Sequence, residues 1–155
     1  MESKMFCYQC QETAGCSGCT ISGVCGKKPD VAAMQDLLVY VTKGLSAITT
    51  ALRGEGREIP SYINHMVIRN LFTTITNANF DKDSIVAKIS ETLSAKEQLL
   101  SQLSDRKSLP AAALWHPESP ADYESMGHVT NILSTKNEDI RSLRDFFLQF
   151  FLCFL

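Results

Sequence analysis

The chain has 155 residues, of which 45% are hydrophobic and 21% are charged, so its composition is that of a globular domain able to bury a core. A formal net charge of −2 gives no electrostatic basis for binding nucleic acid or an anionic membrane, and we expect neither as a partner. No apolar signal segment precedes the first cysteine, which predicts a cytoplasmic, reducing location for the six cysteines.

A cysteine-rich loop is predicted over residues 1–28, which are rich in glycine, serine and threonine and show no regular periodicity. Four of its cysteines follow the pattern C-x2-C-x8-C-x5-C: Cys7, Cys10, Cys19 and Cys25. Thiolates at such spacing bind a zinc ion or an iron–sulfur cluster, and the unequal gaps do not separate the two. A thiol–disulfide role is disfavoured because the βαβ context of a redox C-x-x-C motif is missing.

The first two predicted helices follow this loop. Pro29 at a first helical position and apolar residues at steps of three and four predict an amphipathic helix over 29–53. A second helix opens at Pro60 and Ser61 and is broken by the run 77–79. Its predicted buried face consists of four apolar residues one turn apart: Ile63, Val67, Leu71 and Ile75.

The remaining chain predicts further helices and no strands. A third long helix is expected over 82–104, a short one around 120–127, and a last one from 138 onward, where Asn137 is a good N-cap. The stretch 105–136 is otherwise irregular, with three prolines. We therefore predict an all-α fold, in which a helical bundle over 29–155 is preceded by the cysteine-rich loop, as one structural domain.

Specific segments surround the cysteines: MFCYQCQETA at 5–14, GCT at 18–20 and GVCGK at 23–27. Later segments are QDLL at 35–38, LFTTITNANFD at 71–81 and NEDIRSLR at 137–144. Together they closely resemble the start of the hybrid cluster proteins, also called prismane proteins or hydroxylamine reductases. The resemblance covers about residues 5–145.

This resemblance implies a ligand set and a function. In the family, four cysteines matching Cys7, Cys10, Cys19 and Cys25 hold the first of two clusters. The compact spacing resembles the subgroup with a [4Fe–4S] cubane, whereas another subgroup has wider gaps and a [2Fe–2S] centre. The chain would then be the electron-transfer domain of a hydroxylamine reductase-type oxidoreductase. Its partner would be a redox protein or the catalytic domains that the chain lacks. Cys16 lies outside the pattern and is interpreted as a bystander thiol.

The chain also departs from the family. Members are much longer, and the ligands of their hybrid cluster lie in later domains, so we assign no catalytic residue here. His65, His116 and His128 are interpreted as surface or packing side chains. The apolar run 146–155, which contains Cys153, is too short to span a bilayer. It is expected to be either a family helix cut short or a buried C-terminal helix. A non-redox zinc-binding helical module and an inactive truncated product remain the alternatives.

Overall fold

The computed structural model describes residues 4–75 and 78–144, in which the helices pack around the longest of them. The named helices are α1 (Pro29–Gly54), α2 (Ser61–Thr73), α3 (Lys82–Leu100), α4 (Ala111–Leu114) and α5 (Ala121–Val129). Residues 138–144 are also helical, and short 3-10 turns occur at Ala14–Cys16 and Ile132–Ser134. No strand occurs in these two ranges, so the all-α fold class is confirmed.

α1 agrees with its prediction to within one residue because its sequence signals are strong. Pro29, whose ring fixes φ and removes the N–H, stands at the first helical position, and Lys28 before it is extended. The apolar stripe of the helix is almost fully buried and packs against α2 and α3 in two clusters. Its fully buried large side chains are Met34, Leu37, Leu38, Val41, Leu45, Ile48 and Leu52.

By length and composition α1 would also suit a membrane, and it is the only such helix in the described part of the chain. However, 67% of its apolar window is buried against the other helices. A core helix of a water-soluble domain passes the same test, so this feature does not revise the prediction that the chain has no membrane span.

The buried face of α2 differs from the predicted one. Of the four predicted residues, only Ile63 is fully buried, and the other three are half-buried. The observed face has the spacing three, four, three: Ile63, Met66, Asn70 and Thr73. The prediction was wrong about this face because it counted only apolar residues, whereas two of the buried positions are polar.

Asn70 lies at the contact of three helices, which explains why α2 buries a different face from the predicted one. Its Nδ2 donates to Thr42 Oγ1 of α1 at 3.2 Å and to Thr92 Oγ1 of α3 at 2.7 Å. Each threonine hydroxyl in turn donates to a backbone carbonyl of its own helix. A buried amide that finds such partners fixes the relative rotation of the helices that carry them.

The later elements agree with the prediction in part. α3 begins at Lys82 as expected, and Asp81 caps it by accepting from the N–H groups of Asp83 and Ser84. It ends at Leu100 rather than at 104. α5 spans the predicted short helix, and the last helix begins at 138. Asn77, part of the predicted helix break, and residues 145–155, with the apolar run and Cys153, lie outside the described residues.

α4 was not predicted, and contacts distant in sequence hold it in place. A methyl group added at Gly44 of α1 would lie 2.1 Å from the carbonyl oxygen of Ala112, so the two backbones touch. Lys96 of α3, only 2% exposed, donates from Nζ to the carbonyl oxygens of Ala112 at 2.7 Å and Trp115 at 2.9 Å. Burial lowers the pKa of Lys96 to about 8.

Candidate metal centre in the cysteine-rich loop

Cys7 and Cys19 lie directly opposite each other in an isolated antiparallel bridge. The Cys19 N–H donates to the Cys7 carbonyl at 2.8 Å, and the Cys7 N–H donates to the Cys19 carbonyl at 3.1 Å. Residues opposed in this way project their side chains to the same face, with Cβ atoms about 5 Å apart. The backbone therefore places two of the predicted ligands side by side.

The sulfur of Cys19 is buried among hydrogen-bond donors. The residue is 4% exposed, and the backbone N–H groups of Ala14 and Val24 are directed at its sulfur. Thr13 Oγ1 lies 3.7 Å from the same sulfur. These two backbone bonds, Thr13 and the charge of Lys27 lower the pKa of Cys19 against the opposing effect of burial. The surroundings favour the thiolate, which is the form that binds metals.

Lys27 brings a buried positive charge to Cys7. The residue is 3% exposed, and its Nζ lies 3.7 Å from Cys7 Sγ and 6.0 Å from the centre of the Phe80 ring. A buried ammonium is costly unless negative charge opposes it. This position therefore fits a site that carries negative charge at Cys7. The neighbouring Lys28 is instead exposed at the start of α1.

Cys25 lies in a tight turn beside this lysine. The Gly26 N–H donates to the Gly23 carbonyl at 2.9 Å, and the Gly23 N–H donates to the Lys27 carbonyl at 2.8 Å. A methyl group at Gly23 would lie 3.0 Å from both Cys25 Sγ and Lys27 Cβ, so glycine is needed for this close packing. Because the backbone N–H of Val24 in the same turn lowers the pKa of Cys19, the turn adjoins the paired cysteines.

Cys10 lies in the adjoining turn on the other side. The Thr13 N–H donates to the Cys10 carbonyl at 3.2 Å, and Thr13 Oγ1 donates to the Cys7 carbonyl at 3.2 Å. This folds the turn back onto the paired cysteines. Cys10 is half-buried, whereas Cys16 is exposed, with a φ of 56°, on the 3-10 turn.

The donor chemistry of this loop fits a metal centre, because it carries four thiols at the predicted spacing, a buried cation lies beside one of them, and the described cysteines are free. Within 4–75 and 78–144, however, no group of three or more histidine, cysteine, aspartate or glutamate side chains is arranged to hold one metal ion. Zinc needs sulfurs about 2.3 Å from a single centre. A cubane distributes its four cysteines over separate irons. The structure pairs Cys7 with Cys19 and places Cys10 and Cys25 in the flanking turns. The three histidines are exposed.

Asp36 is a charged residue that the sequence did not single out. It lies on α1 one turn beyond Ala32, which packs in the apolar cluster of Met5 and Cys19. It faces a cleft of ≈ 410 Å³ between the loop and α5, where Asn131 Nδ2 donates to its Oδ2 at 3.1 Å. Burial raises the pKa of Asp36 to about 7, although Asn131, Lys27 and Lys43 act in the opposite direction.

Substituting Asp36 with asparagine should stabilise the metal-free protein at neutral and higher pH. The unfolded carboxyl titrates near 3.8 and the folded one near 7, so folding disfavours the carboxylate. This penalty is absent below about pH 4, grows up to about pH 7, and reaches at most about 4 kcal/mol. Urea unfolding at pH 5 and pH 8 measures it. We expect the free energy of unfolding of Asp36→Asn to exceed that of the wild type by more at pH 8 than at pH 5. An equal difference at both pH values would contradict the raised pKa of Asp36.

Comparison with known proteins establishes the relationship of the chain. A sequence profile of the Prismane/CO dehydrogenase family matches residues 5–151. The chain is 48% identical over 144 residues to a hydroxylamine reductase of Desulfovibrio desulfuricans, covering 93% of this chain and 26% of that protein. It is 42% identical over 168 residues to hydroxylamine reductase 2 of Clostridium acetobutylicum, covering 91% and 29% respectively. The chain thus spans about a quarter of the length of the curated relatives it matches. With nearly all of its residues matched, it belongs to the Prismane/CO dehydrogenase family.

Proposed function

We propose that this chain is the iron–sulfur electron-transfer domain of a hydroxylamine reductase-type oxidoreductase, in which Cys7, Cys10, Cys19 and Cys25 hold a [4Fe–4S] cluster. The observation that carries the proposal is the Cys7–Cys19 pair with the buried ammonium of Lys27 at 3.7 Å from Cys7 Sγ. By ligand counting, a four-thiolate cubane carries about −2 charge when oxidised. The buried lysine and the N–H groups directed at Cys19 would offset that charge.

The residues of the loop would have different roles at such a site. When bound, the cluster would supply one-electron chemistry. Cys19 and Cys7 would anchor it on the side of α1, where Met5 and Ala32 exclude water. Lys27 would favour the more negative, reduced state by its charge. Cys25 is exposed, so this edge would face a redox partner or the rest of a longer protein.

Reduction of hydroxylamine is the activity that the names of the relatives state, and we do not assign it to residues of this chain. A substrate must reach an open or labile metal position, whereas a cubane held by four cysteines has none. We therefore assign the nitrogen chemistry to catalytic domains outside this chain. A cytoplasmic location is part of the proposal, because a reducing compartment keeps the cysteines available as ligands.

Anaerobic reconstitution of the chain with iron and sulfide tests the proposal. We expect a brown protein with a broad visible absorption and about four irons and four acid-labile sulfides per chain. A parallel sample loaded with zinc is the control. Stoichiometric zinc binding without retention of sulfide would contradict the proposal and favour a zinc-binding helical module. An insoluble protein that retains neither metal would point to an inactive product.

A further inference from the structure

We infer that Asp36 couples a proton to the electron held at the cysteine site. When one electron enters this site from a low-potential one-electron donor, one proton from solvent adds to the Asp36 carboxylate, and the proton leaves again on oxidation. The inference rests on the proposed iron–sulfur site. It adds to the cysteines of the loop a carboxylate, Asp36 of α1, that would take part in the redox reaction.

The first support is the position of Asp36 on α1. Ala32 packs in one cluster with Cys19, and Asp36 follows it by four residues, about 6 Å along the axis on the same face of the helix. Negative charge added at the cysteines therefore arises on the side of α1 that carries the carboxylate. Like charges at such range disfavour each other's ionised form, so reduction favours protonation of Asp36.

Lys27 connects the two sites electrostatically. Its ammonium lies 3.7 Å from Cys7 Sγ and also stabilises the Asp36 carboxylate. When negative charge at the cysteines increases, it neutralises more of the positive charge of Lys27. Lys27 then stabilises the Asp36 carboxylate less. The same buried residue therefore makes the protonation of Asp36 sensitive to the charge on the loop.

The cleft supplies a path for the proton. It is open to solvent, has a volume of ≈ 410 Å³, and is lined by the loop, by α1 and by the segment at the end of α5. The Asn131 amide engages Oδ2 of Asp36 at 3.1 Å, and a proton can add at Oδ1. The charged and titratable groups that face Asp36 from these elements are Lys4, Lys27, Lys43 and His128. Burial already raises the pKa of the carboxyl to about 7, so it titrates in the range where coupling is measurable.

The midpoint potential of the reconstituted chain between pH 6 and pH 9 tests the inference. We expect the wild-type potential to fall with pH by up to about 59 mV per unit, the value for one proton per electron. Asp36→Asn should leave a potential that is nearly independent of pH. Direct measurement of proton uptake during reduction, with a pH indicator, should give uptake in the wild type and none in the variant.

Two matched variants serve as controls. Asp105→Asn makes the same chemical change at an exposed aspartate, and His128→Gln removes the imidazole that lines the cleft. Both should keep the pH dependence of the wild type. A flat wild-type profile, an unchanged slope in Asp36→Asn, or loss of the slope in His128→Gln would each overturn the role of Asp36. A chain that retains no iron and sulfide would contradict the proposed function itself, and this inference with it, before any potential is measured.

Discussion

Replacing Cys19 with serine should lower the iron and sulfide retained after reconstitution by more than about tenfold. Cys19 is the most constrained of the proposed ligands, since it is 4% exposed, is bridged to Cys7, and has a pKa that the backbone N–H groups of Ala14 and Val24 lower. Serine fits the same space, but its hydroxyl does not ionise near neutral pH, and its harder oxygen is a poor partner for iron. Metal and sulfide analysis of the purified variant, with its visible spectrum, measures the loss.

Cys16→Ser is the matched control, because Cys16 forms a second C-x-x-C motif with Cys19. Cys16 is exposed on the 3-10 turn, and its loss should leave the bound iron and sulfide nearly unchanged. Both variants should keep the helical far-UV circular dichroism of the wild type. If Cys16→Ser lost the cluster and Cys19→Ser retained it, the proposed ligand set would be wrong.

Gly44→Ala should destabilise the domain by about 3 kcal/mol. The added methyl group would lie 2.1 Å from the carbonyl oxygen of Ala112 and 2.6 Å from its carbonyl carbon. These are backbone atoms that cannot rotate away, so α4 must move, and its movement strains the bonds from Lys96 to Ala112 and Trp115. The higher helix propensity of alanine returns only about 1 kcal/mol. Urea denaturation followed by circular dichroism measures the difference.

Gly54→Ala makes the same substitution in the same helix. An added methyl group at Gly54 would meet no atom within 4 Å. The variant should therefore be as stable as the wild type, or more stable by up to about 1 kcal/mol. Equal stability of the two variants would contradict the close contact between α1 and α4.

The sequence predicts those parts of the fold that depend on local pattern. α1 was predicted at 29–53 and extends from Pro29 to Gly54, because its apolar stripe is long and its first residue is a proline. The face of α2 was wrong because the amide of Asn70 finds partners on two other helices, which no pattern within α2 indicates. α4 was missed for a related reason, since a four-residue helix depends on contacts from α1 and α3.

In the candidate site, too, the sequence predicts what depends on local pattern and misses what depends on contacts distant in sequence. The cysteine spacing and the surrounding segments predicted the family, which the comparisons confirm. The ligand set itself stays a prediction. The N–H groups of Ala14 and Val24 gave no signal, because a backbone donor has no residue type. Asp36 gave none either, since the tertiary contact with Asn131 sets its surroundings.

The bridge between Cys7 and Cys19 has a consequence for how the loop would acquire and lose a bound group. Bringing together the ends of a segment of this length costs about 2 kcal/mol of chain entropy. Two backbone hydrogen bonds and the packing of Cys19 against Ala32 close the segment when the polypeptide folds. A group that binds therefore meets two cysteines that are already adjacent. Its binding free energy does not have to offset the entropy cost of bringing them together. The loop should accordingly keep its shape after the group dissociates, which makes insertion reversible rather than coupled to folding of the whole domain.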